Sequence, residues 1–354
     1  MRAEPLAQWL DCFAADNPVR ILAVQQDDCL IAALPLIKDR RGPFSIGKLP
    51  GGDLCSVGDL LWDPSQEASN QLTGLQSLAA SACNVDCSLL QLDAIFPQTK
   101  RWKTFIDLLE AKNATLVASH RGMTGMIDIQ GSWDAYFAAR SRNHRRHMRV
   151  IHNRAISEGR LQLVSLANPP QEQIEALLCR GFAVEDQSWK GQGGTSTLRT
   201  PGALSFFVEQ GKLLSASGHL LLTFLVLNDH DIAFEYGWQS KGIYHSLKVG
   251  YDENYRHLSP GQLLRYEMMQ ELFNEKELHA VDYLGPLSDA TAKWSTRTYP
   301  VSKLFIASRL SGRLALSIYR RLRKRAAPAY APTECPSDSE PQALTQTAHS
   351  ANAQ

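Results

Sequence analysis

The chain has 354 residues, of which 44% are hydrophobic and 21% are charged, as in an ordinary globular protein with a hydrophobic core. This length predicts about two domains. The formal net charge is only +1, so nothing in the overall charge indicates a nucleic-acid partner, and any basic function must come from local clusters.

The cysteines and the apolar segments indicate the cellular environment of the protein. Seven cysteines are scattered along the chain, and no second Cys or His pair completes a metal site with Cys83 and Cys87. We therefore expect reduced thiols and no metal. The N-terminus lacks the long apolar segment of a signal peptide, and the longest apolar run, 220–227, is too short to span a bilayer. These features predict a soluble, cytoplasmic protein.

The first half of the chain predicts alternating strands and helices. In order, the patterns predict a β-hairpin over 20–38, a Gly- and Pro-rich loop over 40–53, a helix over 64–82, a strand over 88–95, a helix over 100–113 and a strand over 115–129.

The second half predicts a longer version of the same order. It starts with a helix over 134–158, a strand over 160–166 and helices over 169–189 and 202–214; strands follow at 219–227, 232–239 and 243–252, then a helix over 260–276 and strands at 279–285 and 301–308. Two copies of one α/β unit are therefore expected. Residues 326–354 contain no Lys or Arg and are rich in Pro, which predicts a disordered tail.

The stretch around Ser259 predicts a helix start that binds an anion. Ser259 is a favourable N-cap, Pro260 suits the first helical position, and Gln262 follows at the spacing of a capping box. Gly261 lets a ligand approach the backbone, and Arg256 adds positive charge nearby. Free N–H groups and the helix dipole favour a phosphate at such a place. The alternative is a plain helix start after a loop.

Four segments, taken together and in order, resemble a known family. They are SRNHRRHMR (141–149), VEDQSWKGQGGT (184–195), SLKVGYDENYRHLSPGQLL (246–264) and VDYLGPLSDATAKW (281–294). They resemble the GNAT superfamily of acyltransferases, and within it the CelD-like (BioF2-like) acetyltransferase domain associated with bacterial cellulose and exopolysaccharide synthesis. The resemblance covers about 130–325. The family's usual Tyr-Lys before the Trp appears here as Ala292-Lys293-Trp294.

This resemblance implies a fold, a division into domains and a co-substrate. The fold would be α/β (α+β), with two tandem GNAT-like lobes, each a mixed, largely antiparallel sheet flanked by helices; the related FemAB-type transferases share this doubling. A degenerate lobe would occupy 1–125, the acetyltransferase domain 126–325 and the tail 326–354. Acetyl-CoA would place its pyrophosphate at the helix start, on Arg256, Ser259, Pro260, Gly261 and Gln262.

Acyl transfer from a thioester needs a base for the acceptor, a donor for the oxyanion and an acid for the thiolate. Asp282 and Glu235 are the candidate bases, and Tyr251 is the candidate acid. A backbone N–H at the end of the 243–252 strand would stabilise the oxyanion. Lys248 is expected to contact substrate or, alternatively, to form a structural ion pair with Asp252.

Three further groups are expected to contact substrate. Arg142 and Arg145 belong to a helical face that includes Arg146 and Arg149, which is either a solvated surface or a wall for an anionic ligand such as a CoA phosphate, a nucleotide-linked sugar or a lipid phosphate. Glu185, Trp189 and Lys190 precede a Gly-rich loop and predict a lid over the acceptor, unless Trp189 is a buried core residue. Trp294 completes the expected substrate-binding set.

Basic and apolar residues alternate over 309–325, which predicts an amphipathic helix. It either caps the domain or touches anionic lipid beside a membrane-bound polysaccharide synthase. The function expected overall is acetyl transfer from acetyl-CoA to an amine or hydroxyl of a small molecule or saccharide. The alternatives are FemAB-like aminoacyl transfer from tRNA and a non-catalytic role in polysaccharide assembly.

Overall fold

The computed structural model describes residues 3–14, 17–26, 29–51, 58–63 and 65–326. Within them, the chain as far as Leu316 forms one compact unit, and a second unit begins at Ser317. The predicted tail over 326–354 lies outside the described residues, except for Ala326 at the end of the last helix.

The first half of the chain contributes six strands and three helices to the described structure. They are α1 (Ala3–Phe13), β1 (Val19–Gln26), β2 (Cys29–Arg41), β3 (Phe44–Lys48), β4 (Leu61–Trp62), α2 (Ala68–Asn84), β5 (Leu89–Ile95), α3 (Lys100–Ala111) and β6 (Thr115–Asp128).

The second half follows the predicted order with additional short helices. Its elements are α4 (Trp133–Ala138), α5 (Arg142–Glu158), β7 (Leu161–Ala167), α6 (Gln171–Asp186), α7 (Trp189–Gln192), α8 (Ala203–Ala216), β8 (Leu220–Leu227), β9 (His230–Ser240), β10 (Ile243–Tyr251), α9 (Pro260–Leu272), β11 (Ala280–Pro286), α10 (Asp289–Ala292), β12 (Arg297–Ala307) and α11 (Leu310–Ala326). A 3-10 turn, Glu253–Leu258, joins β10 to α9.

All the described strands belong to one mixed sheet. Its order is β1-β2-β3-β5-β12-β6-β11-β10-β9-β8-β7, with β4 paired to β2. The final strand β12 lies between β5 and β6, so the last strand of the chain completes the sheet of the first half. The predicted α/β (α+β) class is confirmed. The expected domain boundary at 125/126 falls inside β6, which pairs with both β11 and β12.

The two halves repeat one strand arrangement. In the first half β3 pairs in parallel with β5 over three residues, Ile46–Lys48. In the second half β10 pairs in parallel with β11, also over three residues, Ile243–His245. Both β5 and β11 then contain a non-glycine residue in the left-handed region, Ala94 at φ 56° and Leu284 at φ 52°. Such residues are uncommon at positive φ; Ala94 follows the last paired residue of β5 by three positions and Leu284 follows that of β11 by two.

Two local predictions were wrong. Residues 40–53 are not all loop, because Gly42 makes a turn at φ 58° that returns the chain into β3. Residues 134–158 are not one helix, because Ser141 starts a new helix by accepting a hydrogen bond from His144 N over 3.3 Å. The helix α1 had no counterpart among the predicted elements.

Helices cover both faces of the second half's sheet. On one face, α5 and α9 pack around Met148, Leu263 and Trp294. On the other, α6 and α8 pack around Phe182, Phe206 and Phe234. A side chain in β8–β11 therefore points into one of two distinct layers, and this decides which predicted site residues can meet.

Two further expectations concern the thiols and the membrane. The five cysteines within the described ranges, Cys12, Cys29, Cys83, Cys87 and Cys179, are all free thiols, as expected. No helix in the described part of the chain combines the length and the apolar character that crossing a bilayer requires.

Candidate functional site

A wedge-shaped gap opens between β10 and β11. Their parallel register ends where His245 pairs with Asp282. Beyond this vertex β10 continues along β9 as far as Tyr251, while β11 continues to Pro286. The start of α9 lies over the far half of β10, because a Cβ on Gly261 would be 3.8 Å from Val249 Cγ1 and 3.6 Å from Tyr251 Cδ1. The helix start therefore borders the wedge.

A β-bulge alters the side-chain alternation of β10 next to this gap. Ser246 pairs with Gly237, but Lys248 already pairs with the adjacent Tyr236, which leaves Leu247 as the extra residue. Leu247 packs in the layer of α6 and α8, and Lys248 Nζ lies over the Phe207 ring at 5.5 Å, in the same layer. The bulge thus points two successive side chains toward one face.

Asp282 lies at the vertex and is held by two elements. Tyr299 on β12 donates its hydroxyl hydrogen to the carboxylate, at 2.8 Å from Oδ1 and 3.0 Å from Oδ2. Leu284 N donates to Oδ1 over 2.9 Å. Phe96 of the first half packs edge-on against the Tyr299 ring at 5.3 Å. Residues from both halves of the chain therefore orient this carboxylate.

His245 is the cross-strand neighbour of Asp282 and shares its face of the sheet. Its ring stacks on Trp238, with centroids 5.2 Å apart. Burial lowers the pKa of His245 below its ordinary value of 6.5, and the nearby Asp282 charge opposes that shift. Nδ1 is buried and has no hydrogen-bond partner among the described residues. A neutral imidazole with a free ring nitrogen is suited to accepting a proton.

A buried ion pair between Lys190 and Glu185 lies on the same side of the sheet as His245 and Asp282. Lys190 Nζ lies 2.8 Å from Glu185 Oε1 and donates to the Val249 carbonyl over 2.8 Å. Thr197 N donates to Glu185 Oε2 over 3.0 Å. Burial alone would raise the pKa of Glu185, but Lys190, Thr197 N and Lys248 together hold it below 4.5. The predicted group Glu185, Lys190 and Lys248 is therefore brought together beside β10.

Trp189 is an exposed side chain, so its alternative interpretation as a core residue was wrong. Its relative exposure is 60%. It begins the short helix α7, and Gly191 in that helix packs so closely that a Cβ would lie 1.7 Å from Asp186 O. The fixed backbone presents the indole to solvent beside the Lys190–Glu185 pair.

Glu235 points into the opposite layer from Asp282. Its side chain is 3% exposed and accepts a hydrogen bond from Tyr244 Oη over 2.9 Å. Burial raises the pKa of Glu235, while Arg265 and the hydrogen bonds from Ser246 and Tyr244 oppose that shift. Glu235 is thus enclosed in a polar network under α9, and the structure does not bring the two candidate bases together.

The predicted capping box at the start of α9 was wrong. Ser259 adopts a left-handed conformation, φ 48° and ψ 59°, and its side chain makes no capping hydrogen bond. An N-cap side chain reaches the helix N–H groups from extended backbone, which Ser259 does not have. Gln262 instead accepts a hydrogen bond from Trp294 Nε1 over 2.8 Å. Trp294 is fully buried, so it supports this helix start from inside the core.

The remaining expected donor-site residues surround the same helix start. Gly261 N has no hydrogen-bond partner among the described residues. Pro260 is buried, and Arg256 is exposed in the preceding 3-10 turn. Tyr251 packs near Gly261; burial raises its pKa above 10, and Glu253 adds to the shift. Tyr251 therefore keeps its proton at neutral pH.

Arg142 and Arg145 lie on α5, on the side of the sheet opposite His245 and Asp282. Arg142 is exposed and Arg145 half-buried. With Arg146 and Arg149 they line a concavity on the surface. Within the described ranges, no three or more His, Cys, Asp or Glu side chains form a group that could hold a metal ion.

The sequence did not single out His245 or Tyr299. A lone histidine in a strand and a tyrosine far along the chain carry no local signal, and only the strand order shows that both lie beside Asp282. His245 lies in the third strand of the meander, and its register against β11 follows only from the strand pairing.

The corresponding gap in the first half is filled by its own chain. Past the β3–β5 pairing, Leu49 N donates to Gln91 O over 3.3 Å and Gly58 N donates to Ala94 O over 2.9 Å. A Cβ on Gly58 would lie 2.0 Å from Asp93 O. These contacts occupy the edge of β5 that corresponds to the edge of β11 facing the wedge.

Comparisons with known proteins identify the architecture. Residues 139–293 match a family model described as Acetyltransferase (GNAT) domain. The fold is similar to FemX (13% identity, 89% of this chain and 93% of that chain, TM-score 0.55). It is also similar to the C-terminal domain of a putative lysylphosphatidylglycerol synthetase from Agrobacterium fabrum (12%, 90% and 96%, 0.54) and to L-PGS from Bacillus licheniformis (14%, 92% and 97%, 0.51). A comparison with curated proteins found no match. The chain therefore has a GNAT-like fold, and its residues 139–293 carry the match to the acetyltransferase domain.

Proposed function

We propose that the chain is an acyltransferase that uses acyl-CoA, with acetyl-CoA as the expected donor. The donor would lie in the wedge between β10 and β11, with its pyrophosphate at the start of α9. The observation that carries this proposal is that the pairing of β10 with β11 ends at His245 and Asp282, while the start of α9, with Gly261 N unpaired, lies over the continuation of β10. The family match at 139–293 supports the same class of reaction.

The reaction would be a direct transfer without a covalent enzyme intermediate. The acceptor nitrogen or oxygen forms a bond to the thioester carbonyl carbon while His245 takes the acceptor proton. The carbon–sulfur bond then breaks, and the departing CoA thiolate receives a proton from Tyr251. Tyr251 recovers a proton from solvent, and His245 releases the acceptor proton to solvent. Binding both substrates in one gap supplies much of the rate by orientation.

Asp282 would assist His245 and not compete with it as a base. The carboxylate already accepts hydrogen bonds from Tyr299 and Leu284 N, so its charge is well stabilised. A fixed negative charge beside the imidazole stabilises the imidazolium that forms on proton transfer. Glu235, in the opposite layer, would contribute to stability through Tyr244 and Arg265.

The proposed acceptor class is inferred from the resemblance to the CelD-like domain and from the side chains that border the wedge. An exposed aromatic ring such as Trp189 can stack on a sugar ring, while the Glu185–Lys190 pair offers polar contacts next to it. We therefore infer an amine or hydroxyl of a sugar or polysaccharide precursor as the acceptor. A peripheral contact with a membrane or with a polysaccharide synthase through α11 belongs to the same proposal, because Leu310 and Leu314 on that helix are exposed at 82% and 58%.

A second candidate function is aminoacyl transfer from a charged tRNA. The fold similarity to FemX and to the lysylphosphatidylglycerol synthetases favours it. A tRNA user would bind RNA with an affinity that falls steeply with salt concentration. The near-neutral net charge of +1 argues mildly against it.

Calorimetry with acetyl-CoA tests the proposal. Gly261→Asp places an anion where the pyrophosphate would lie and should abolish binding. Gly261→Ala is the matched control, because its Cβ meets ordinary contacts at 3.6 and 3.8 Å and should leave binding within a few-fold of the wild type. Absence of binding to the wild type would reject the acyl-CoA assignment, and binding to RNA would then decide for the second candidate.

A further inference from the structure

The four arginines of α5 form a surface that the acyl-transfer step does not use. Arg142, Arg145, Arg146 and Arg149, together with Val150 and Asn153, line a concavity of about 420 Å³. It is large enough for a small charged group and is lined by cations from a single helix.

The four arginines of this surface have no direct ion-pair partner in the described part of the chain. The first turn of α5 contains no acidic residue. The arginines also occupy the N-terminal half of the helix, where the helix dipole is already positive. Like charges three and four residues apart repel one another. Repulsion between these charges therefore raises the free energy of the unliganded protein, and a bound anion would reduce that repulsion.

Hydrogen-bonding capacity is also unused here. Arg145 Nε is buried and has no hydrogen-bond partner among the described residues. Each of these arginines has two others three and four residues away along the helix, except that Arg145 and Arg146 are adjacent; a separation of three or four residues corresponds to about 5–6 Å between side-chain origins. A row of guanidinium groups at this spacing suits two or three neighbouring phosphates, because guanidinium binds phosphate oxygens in a bidentate manner.

The surface is connected to the proposed donor site through the core. His144, one residue before Arg145, packs edge-on against Trp294 at 4.6 Å, and Trp294 holds Gln262 in the first turn of α9. Burial lowers the pKa of His144 to about 4, so this contact stays neutral and adds no charge to the row. One side-chain layer thus separates α5 from the helix start that would hold a pyrophosphate.

We propose that this arginine face binds the phosphate groups of a small substrate of the transfer reaction. Two sources share this chemistry: the 3′-phosphate end of the CoA donor and the diphosphate of a nucleotide-activated acceptor. The identity of the ligand rests on the proposed function, whereas binding of phosphate to the face does not. A nucleic acid or a membrane surface would require a different assignment.

The test compares two double variants with the same loss of charge. Arg146→Gln/Arg149→Gln removes two exposed arginines of the face; Arg40→Gln/Arg41→Gln removes two exposed arginines at the end of β2. Pyrophosphate is titrated into each double variant and its parent in the Gly261→Asp background, which blocks the start of α9. We expect at least a tenfold loss of affinity in the first double variant and less than a twofold change in the second.

Three nucleotides, titrated into the double variants with Gly261 restored, then distinguish the sources. If CoA loses affinity in Arg146→Gln/Arg149→Gln and dephospho-CoA does not, the 3′-phosphate is the group bound. If UDP loses affinity while CoA is unaffected, the acceptor carries the phosphates. Failure of pyrophosphate to bind the parent, equal losses in both double variants, or a response confined to RNA or anionic vesicles would overturn the proposal. The acyl-CoA assignment is tested separately, because it fails if the wild-type protein does not bind acetyl-CoA.

Discussion

The indole N–H of Trp294 donates a hydrogen bond to Gln262 Oε1 over 2.8 Å, and so joins the segment after β11 to the first turn of α9. Trp294 is fully buried, and its carbonyl accepts hydrogen bonds from Tyr136 and Arg140. The orientation of the helix start therefore depends on a residue in the core behind it.

Trp294→Phe should weaken both stability and donor binding. Loss of the indole N–H leaves Gln262 unpaired and should cost about 1 kcal/mol of unfolding free energy, in addition to the cost of the cavity that the smaller ring leaves in the core. Acetyl-CoA affinity should fall several-fold because the helix start is less firmly held. Chemical denaturation and calorimetry measure the two effects. The double variant Trp294→Phe/Gln262→Leu, which removes both polar partners, should recover stability; an additive loss would contradict the hydrogen bond's role.

His245→Gln should slow acyl transfer without affecting donor binding. Because burial lowers the pKa of His245, the wild-type rate should fall as the pH drops through a value below 6.5, where the base becomes protonated. Removing a general base costs about 100-fold or more, and this acidic limb should disappear. Thiol release from acetyl-CoA between pH 5 and 8 measures both. His230→Gln, at an exposed position, is the control; an unchanged pH profile in His245→Gln would exclude it as the base.

Lys190→Gln should destabilise the fold and change its response to acid. Removing one partner of a buried pair costs about 3 kcal/mol, and Glu185 is only 1% exposed. The pKa of Glu185 lies below its unfolded value of 4.5, so its contribution is present above that pH and is lost as the pH falls through the folded pKa. Without Lys190, burial is the dominant effect and raises the pKa of Glu185. Protonation of Glu185 at low pH should therefore reduce the loss of stability in the variant.

Denaturation between pH 3 and 7 follows this change. Lys212→Gln breaks the solvent-exposed pair with Glu209 and should have little effect at any pH. Equal losses of unfolding free energy in Lys190→Gln and Lys212→Gln would show that burial does not increase the contribution of the Lys190–Glu185 pair to stability.

The chain should bind one acetyl-CoA, although its two halves repeat one strand arrangement. The edge of β5 is occupied by Leu49 N and Gly58 N, whereas β11 has no pairing with β10 beyond the vertex. Titration with a quantified protein concentration should give one site per chain, and Gly261→Asp should leave none. A second site that survives Gly261→Asp would show that the first half also binds the donor.

The sequence predicted the elements better than the site. Periodicity and turn residues located the meander of β8, β9 and β10, because each strand contains enough apolar residues to decide its own structure. β3 was missed because this five-residue strand directly follows Gly42 and Pro43, which are typical of a loop. The capping box at Ser259 failed because residue types alone do not show that this serine is in a left-handed conformation.

Site residues were predictable only where they are neighbours in sequence. Glu185 and Lys190 lie five residues apart, so their pairing could be expected from the stretch itself. Asp282 and His245 are brought together by strand register, and Asp282 and Glu235 are separated by the sheet between them. No periodicity in a single sequence carries that information, because it depends on which edges of β10 and β11 meet.

The position of β12 has a consequence for how the chain is made. Pro300–Ala307 lie within this strand, which pairs with β5 on one side and β6 on the other. A growing chain that has emerged from the ribosome as far as β11 therefore still has two unsatisfied strand edges in its first half. Such edges are templates for wrong partners, and closing them requires contacts across about 200 residues of sequence, which slows folding. The order of synthesis thus leaves the first half incomplete until almost the whole chain exists.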